Sequence, residues 1–141
     1  MKSKCNLIWE PMRRLGEIEF GAPLGEATST YHLARLPEEE RDTVGWEVYG
    51  DRDETLRVYL EDGKVTSVAC YRSCILNGKD LIGMEVIEAC AWMGYDPVGP
   101  DDVVEMPDGP QDVYEFVPLE AQIWAKEGCV VTVFCDPPGD D

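Results

Sequence analysis

Apolar positions along this chain fall into two rhythms, one helical and one alternating, and the pair occurs twice in the same order. After Gly83, the stretch Met84-Glu85-Val86-Ile87-Glu88-Ala89-Cys90-Ala91-Trp92-Met93 puts Val86, Ile87, Cys90 and Met93 on one helical face and turns Glu85 and Glu88 away. Gly94 stops that helix, with Pro97 close behind. An earlier helix is expected over about 23–36, opened by Pro23 and carrying Leu24, Ala27, Tyr31 and Ala34 as a stripe, with Thr28, Ser29 and Thr30 lowering its propensity. Alternation then predicts a short strand at 46–49 and a hairpin with arms 55–60 and 65–71. The second set is a strand at 114–117 and a hairpin with arms 121–125 and 129–135.

The letters themselves repeat. Gly16, Gly21, Glu26 and Ala27 recur as Gly78, Gly83, Glu88 and Ala89, an offset of 62. Trp46-Glu47-Val48-Tyr49 is echoed by Tyr114-Glu115-Phe116-Val117 at 68, and the hairpin 56–63 by 121–128 at 65, with Val65, Val68 and Cys70 returning as Val130, Val133 and Cys135. Length changes between elements are what loops tolerate. The expected architecture is therefore α+β: a single domain over 1–141 made of two tandem helix-plus-antiparallel-hairpin repeats, about 15–72 and 76–136, forming one sheet with helices on one face.

Asp62-Gly63 alone suggests a two-residue turn, but Glu127-Gly128 suits poorly a turn that needs positive φ at both centres, so a three-residue loop is expected in both hairpins. That register groups Leu56, Val58, Leu60, Val68 and Cys70 with Ala121, Ile123, Ala125, Val131, Val133 and Cys135 as the core side. The opposite side carries Tyr59, Tyr71, Trp124 and Phe134 beside Arg57, Glu61, Gln122 and Lys126. Rings among charges are an unusual solvated surface.

With 141 residues and 44% hydrophobic positions the chain can bury a core without metals or disulfides. Its net charge of −17 repels nucleic acid and acidic membranes and attracts basic partners. No apolar run approaches the roughly 20 residues of a membrane span, and Met1-Lys2-Ser3-Lys4-Cys5 leads into Trp9-Glu10-Pro11 without a secretory stretch, so a cytoplasmic location is expected. The six cysteines read as mostly reduced core thiols. Cys70 and Cys74 resemble half a metal site, yet Cys129 and Cys135 are six apart and His32 is the one histidine, so core packing is preferred.

Acid clusters lie between the elements: Glu38, Glu39, Glu40, Asp42, Asp51, Asp53 and Glu54 in the first half, and Asp101, Asp102, Glu105, Asp108 and Asp112 in the second. Both are expected as loops at one rim of the sheet. Charge around rings points to a protein-binding surface. The partner-binding set is accordingly Trp46, Tyr49, Tyr59, Tyr71, Trp124 and Phe134 with these twelve acids. Catalysis finds no support: there is no phosphate-binding glycine loop, no metal-ligand pair at helical spacing, and no nucleophile or base around His32. Asp101-Asp102 with Glu105 lacks the twelve-residue calcium loop. No enzyme activity, cofactor or metal is expected.

The segments Gly16 to Gly21, Trp46 to Tyr49 and Leu56 to Cys70, then Gly78 to Gly83, Tyr114 to Val117 and Ala121 to Cys135, resemble the tandem helix-plus-sheet repeat of the β-lactamase inhibitor protein family, and the single unit of small outer-membrane assembly lipoproteins. The inhibitor resemblance implies that an open aromatic sheet face grips a target enzyme, with Tyr59, Tyr71, Trp124 and Phe134 at the matching positions. A small acidic inhibitor without an export signal is similar to the cytoplasmic immunity proteins that neutralise bacterial toxins. The expected partner is therefore a basic toxin or nuclease bound by a monomer, without direct nucleic-acid or membrane contact. Alternatives are a nucleic-acid mimic that inhibits a host nuclease, and a non-inhibitory interaction module whose sheet face is a subunit interface.

Overall fold

The computed structural model describes residues 7–37, 46–94, 98–107 and 109–136. Its frame is an eight-stranded antiparallel sheet built from β4 (Ala34–Arg35), β5 (Glu47–Gly50), β6 (Leu56–Glu61), β7 (Lys64–Cys70), β10 (Val98–Met106), β11 (Gly109–Phe116), β12 (Ala121–Lys126) and β13 (Cys129–Cys135). The order is β10-β11-β12-β13-β7-β6-β5-β4. Against one face lie a three-stranded sheet of β1 (Trp9–Glu10), β2 (Arg14–Leu15) and β3 (Ile18–Glu19), the pair β8 (Ile75–Leu76) and β9 (Lys79–Asp80), and the helices α1 (Ala27–Thr30) and α2 (Val86–Met93).

This corrects the expectation of two helix-plus-hairpin repeats. The molecule is mostly β, and its helices are short. The helix expected over 23–36 is four residues long, because the Thr28-Ser29-Thr30 run propagates poorly and His32 leaves the helical region at φ 55°. Chain beyond it turns to pair Ala34 and Arg35 with β5. On α2 Ala89 and Met93 are buried and Val86 and Cys90 pack partly buried against the core as expected, while Ile87 is 84% exposed instead of facing it. The stretch expected as an acidic loop is mostly the hairpin β10–β11, in which Val103, Val104 and Glu105 face Asp112, Gln111 and Pro110.

The sheet repeats at one offset. Tyr59 and Trp124, 65 apart, lie opposite Val48 and Val113, which are also 65 apart, so Trp46-Glu47-Val48-Tyr49 is matched in space by Gln111-Asp112-Val113-Tyr114 and not by the letters at 114–117. Where the hairpins meet, Val133 faces Cys70, Phe134 faces Ala69 and Cys135 faces Val68. Exchanging residues 65 apart maps this register onto itself. A local twofold axis therefore passes through the Ala69–Phe134 pair.

Both hairpins also share a device that no letter announces. Leu60 pairs with Val65 but Tyr59 with Ser67, and Ala125 pairs with Val130 but Trp124 with Thr132, leaving Thr66 and Val131 as the extra residues of matching β-bulges. The bulge turns Val130, 1% exposed, into the core where Val131 was expected. The turns themselves are two-residue, with Asp62 and Gly63 at φ 54° and 77° and Glu127 and Gly128 at 52° and 81°. These are the doubly positive φ values that follow the twist of the strands; the three-residue loop is not used.

Beyond their three shared residue pairs β7 and β13 separate, and a glycine segment fills each gap. Gly21 N–H donates to Val65 O and Val65 N–H to Ala22 O, both at 2.8 Å; Gly83 N–H donates to Val130 O and Val130 N–H to Met84 O, also at 2.8 Å. The small hairpins keep a different offset, 61, since the Gly16-Glu17 turn of β2–β3 corresponds to the Asn77-Gly78 turn of β8–β9. Gly16 itself is required by crowding: at φ 58°, a Cβ there would strike the Tyr31 hydroxyl, which accepts from the Glu17 N–H at 2.8 Å.

One core cluster draws on both halves. Leu56, Val58, Val68, Phe116, Ile123, Val130 and Val133 from the sheet meet Leu7, Trp9, Leu15, Ile18, Leu76, Leu81, Ala89 and Met93 from the covering layer. Among the described residues, no helix is long and apolar enough to cross a membrane.

Candidate functional site

Strand alternation sends Val48, Tyr59, Ala69 and Phe134 to the sheet face opposite the main core. There, four rings cross five neighbouring strands. Trp46, just before β5, meets Tyr59 edge-on at 6.3 Å between centroids; Tyr59 lies 6.4 Å from Phe134, and Phe134 lies 5.4 Å from Trp124. These are the separations at which aromatic pairs attract beyond simple burial. The row passes over the twofold axis because Ala69 leaves room for Phe134 to reach a ring on either side.

Exposure along the row is uneven. Tyr59 is 2% exposed, whereas Trp46, Tyr71, Phe134 and Trp124 are half-buried. Trp124 is held by a hydrogen-bond chain along the same face: its Nε1 donates to Gln122 Oε1 at 3.3 Å, and Gln122 Nε2 donates to Glu115 Oε1 at 3.1 Å. Glu115 and Gln122 were absent from the sequence-derived partner set. Gln122 stands two residues before Trp124, and Glu115 faces Gln122 across the strand pair, a neighbour that only the pairing register reveals.

Several expected members of the site lie elsewhere. Tyr49 packs against the main core, on the other side of the sheet, because its cross-strand partner Val58 points inward. Asp112, opposite Ala125, and Glu105, opposite Pro110, lie in register on that same side. Asp51 serves its own turn: Oδ1 accepts from the N–H groups of Thr55 at 2.7 Å and Leu56 at 3.2 Å. Asp53 and Glu54 are exposed on that turn, and Glu54 lines a depression of about 390 Å³ together with Leu36, Arg52 and Arg57. Asp101 and Asp102 belong to β10, a strand and not a loop. Glu38, Glu39, Glu40, Asp42 and Asp108 lie outside the described residues.

A second constellation sits on the core side of the same seam. Cys70 ends β7, Cys135 ends β13 and Cys74 follows in the loop before β8; all three are fully buried, with sulfurs within 4.8 Å of one another. Cys135 thus joins the Cys70-Cys74 spacing that was read from sequence as ordinary packing. Asp80 Oδ1 accepts from the N–H groups of Cys74 at 2.9 Å and Ile82 at 3.0 Å, fixing the loop that carries the third thiol. Hydrogen bonds from Cys135 and then Cys70 hold the Cys74 pKa down at about 6 against the opposing effect of burial. Burial pushes the Cys70 and Cys135 thiols up. Cys90 and Cys129 are partly buried cysteines outside this group.

No protein-family model, curated protein or solved structure matches this chain.

Proposed function

We propose that this chain is an acidic, cytoplasmic binding protein of the immunity type, which inhibits a basic toxin or enzyme by covering it with the aromatic sheet face. The observation that carries this reading is the row Trp46–Tyr59–Phe134–Trp124, two of whose half-buried members are tryptophans. Tryptophan anchors on a rigid sheet lose little entropy on binding and dominate interface energies. The net charge of −17 supplies the other half of the reading, because it raises the encounter rate with a cationic partner in a salt-dependent way. Among the described residues, Asp53, Glu54 and Glu105 are exposed acids of the proposed set, and Glu115 lies on the aromatic face itself.

The test is co-expression and titration with the basic product of a toxin-type neighbouring gene. Tyr59 is the wrong probe, since truncating a ring so deeply buried costs about 3–5 kcal/mol of folding stability. Trp124→Ala and Trp46→Ala are the informative variants. Each is expected to weaken binding by tenfold or more, about 1.4 kcal/mol, at an unchanged fold. Unaltered affinity in both sinks the aromatic-face reading. Binding that survives both substitutions but is lost on neutralising the acidic stretches identifies a nucleic-acid mimic instead.

A further inference from the structure

We propose that Cys70, Cys74 and Cys135 form a binding site for one soft, thiophilic metal ion, and that monovalent copper is the ion they suit. Three sulfurs already lie within 4.8 Å of one another. Around a metal at a metal–sulfur distance of about 2.3 Å they would stand roughly 4 Å apart, so small side-chain adjustments close the site. The donor set is uniform: among the described residues no histidine or carboxylate joins the group. Thiolate-only sites select soft ions over the hard cations that carboxylates favour.

Coordination number narrows the choice. Zn²⁺ in a structural site takes four ligands, and here all three donors are fully buried, which leaves water no access as a fourth. A trigonal all-sulfur set is what a monovalent d¹⁰ ion accepts. Symmetry also separates this cluster from plain packing. Cys70 and Cys135 are exchanged by the twofold axis, so repetition alone accounts for that pair. It does not account for Cys74, whose counterpart at the small-hairpin offset is Arg13, an exposed residue. The third sulfur is an addition specific to one half, and its loop is pinned by the Asp80 carboxylate and by the Leu81 N–H donating to Cys74 O at 2.8 Å.

The experiment uses reduced, metal-free full-length protein under anaerobic conditions, with Cu⁺ supplied from a coloured chelator. One equivalent of Cu⁺ should transfer to the protein, with a near-ultraviolet charge-transfer band and a rise in Tm. Cys74→Ser should weaken uptake on the order of a hundredfold, the upper end of what losing even a supporting residue does to metal affinity. A triple variant, Cys5→Ser with Cys90→Ser and Cys129→Ser, should bind as the parent does. X-ray absorption on the unmodified protein keeps the test independent of variant folding: three sulfur neighbours at a single distance are expected. Failure of transfer, loss of binding in the triple variant, a two-sulfur environment or preference for Zn²⁺ over Cu⁺ each overturns the proposal.

Discussion

Glu127 is a residue whose side chain disagrees with its backbone. It occupies the first centre of a two-residue turn at φ 52°, in the left-handed region that Asn and Gly tolerate and that costs other residues about 1–2 kcal/mol. Glu127→Asn should therefore raise stability by about 1 kcal/mol, read as a higher denaturant midpoint at an unchanged slope; no gain would show the turn is not strained there. The equivalent Asp62 already carries a short side chain, so Asp62→Asn should change little. Asp136 offers a titration test. Burial raises its pKa above the usual carboxylate value, with Glu120 adding to the effect and Ser67 opposing it. A raised folded-state pKa means the folded chain holds the proton more tightly, so this group's contribution is most favourable at low pH and is lost as pH climbs through the raised value. Asp136→Asn should raise Tm at pH 7 and leave it nearly unchanged below pH 4; an equal gain at both would refute the burial cause. Neither effect is legible from letters. Glutamate before glycine argued against the turn that is present, because sequence preference weighs one residue while strand twist constrains the whole hairpin.

At the level of elements, the hairpins were legible and what surrounds them was not. Leu56, Val58, Leu60, Val68, Ala121, Ile123, Ala125 and Val133 are buried as alternation required. The bulges at Thr66 and Val131 were invisible, since one unpaired residue resets the alternation without any marking side chain. Helical spacing misled at Ile87, because a short helix lying on a sheet buries a narrow stripe, here Ala89 and Met93 flanked by Val86 and Cys90. Charge misled at 98–106. Asp101, Asp102 and Glu105 read as loop, yet they lie on the outermost strand, whose far edge has no neighbouring strand among the described residues. Acids and Pro100 on such an edge discourage another chain from adding to it. Glu105 and Val103 are both exposed. Glu105→Val should therefore promote self-association, seen as a rising apparent mass by light scattering with increasing concentration; a variant that stays dispersed would place the protection elsewhere.

On the scale of the whole molecule, the sheet divides its labour between two faces at one seam. The same three residue pairs that send Cys70 and Cys135 inward send Ala69 and Phe134 to the aromatic side. The candidate site was half legible: the rings Tyr59, Phe134 and Trp124 do share a face, whereas Tyr49 packs against the core on the other side. Only the pairing register could separate matching letters from matching places. The twofold axis relates backbone to backbone but not side chain to side chain. Ala69 and Phe134 face each other across it, and Cys74 stands where the small-hairpin offset puts Arg13. The ring row and the thiol cluster therefore belong to the whole sheet and to neither half by itself.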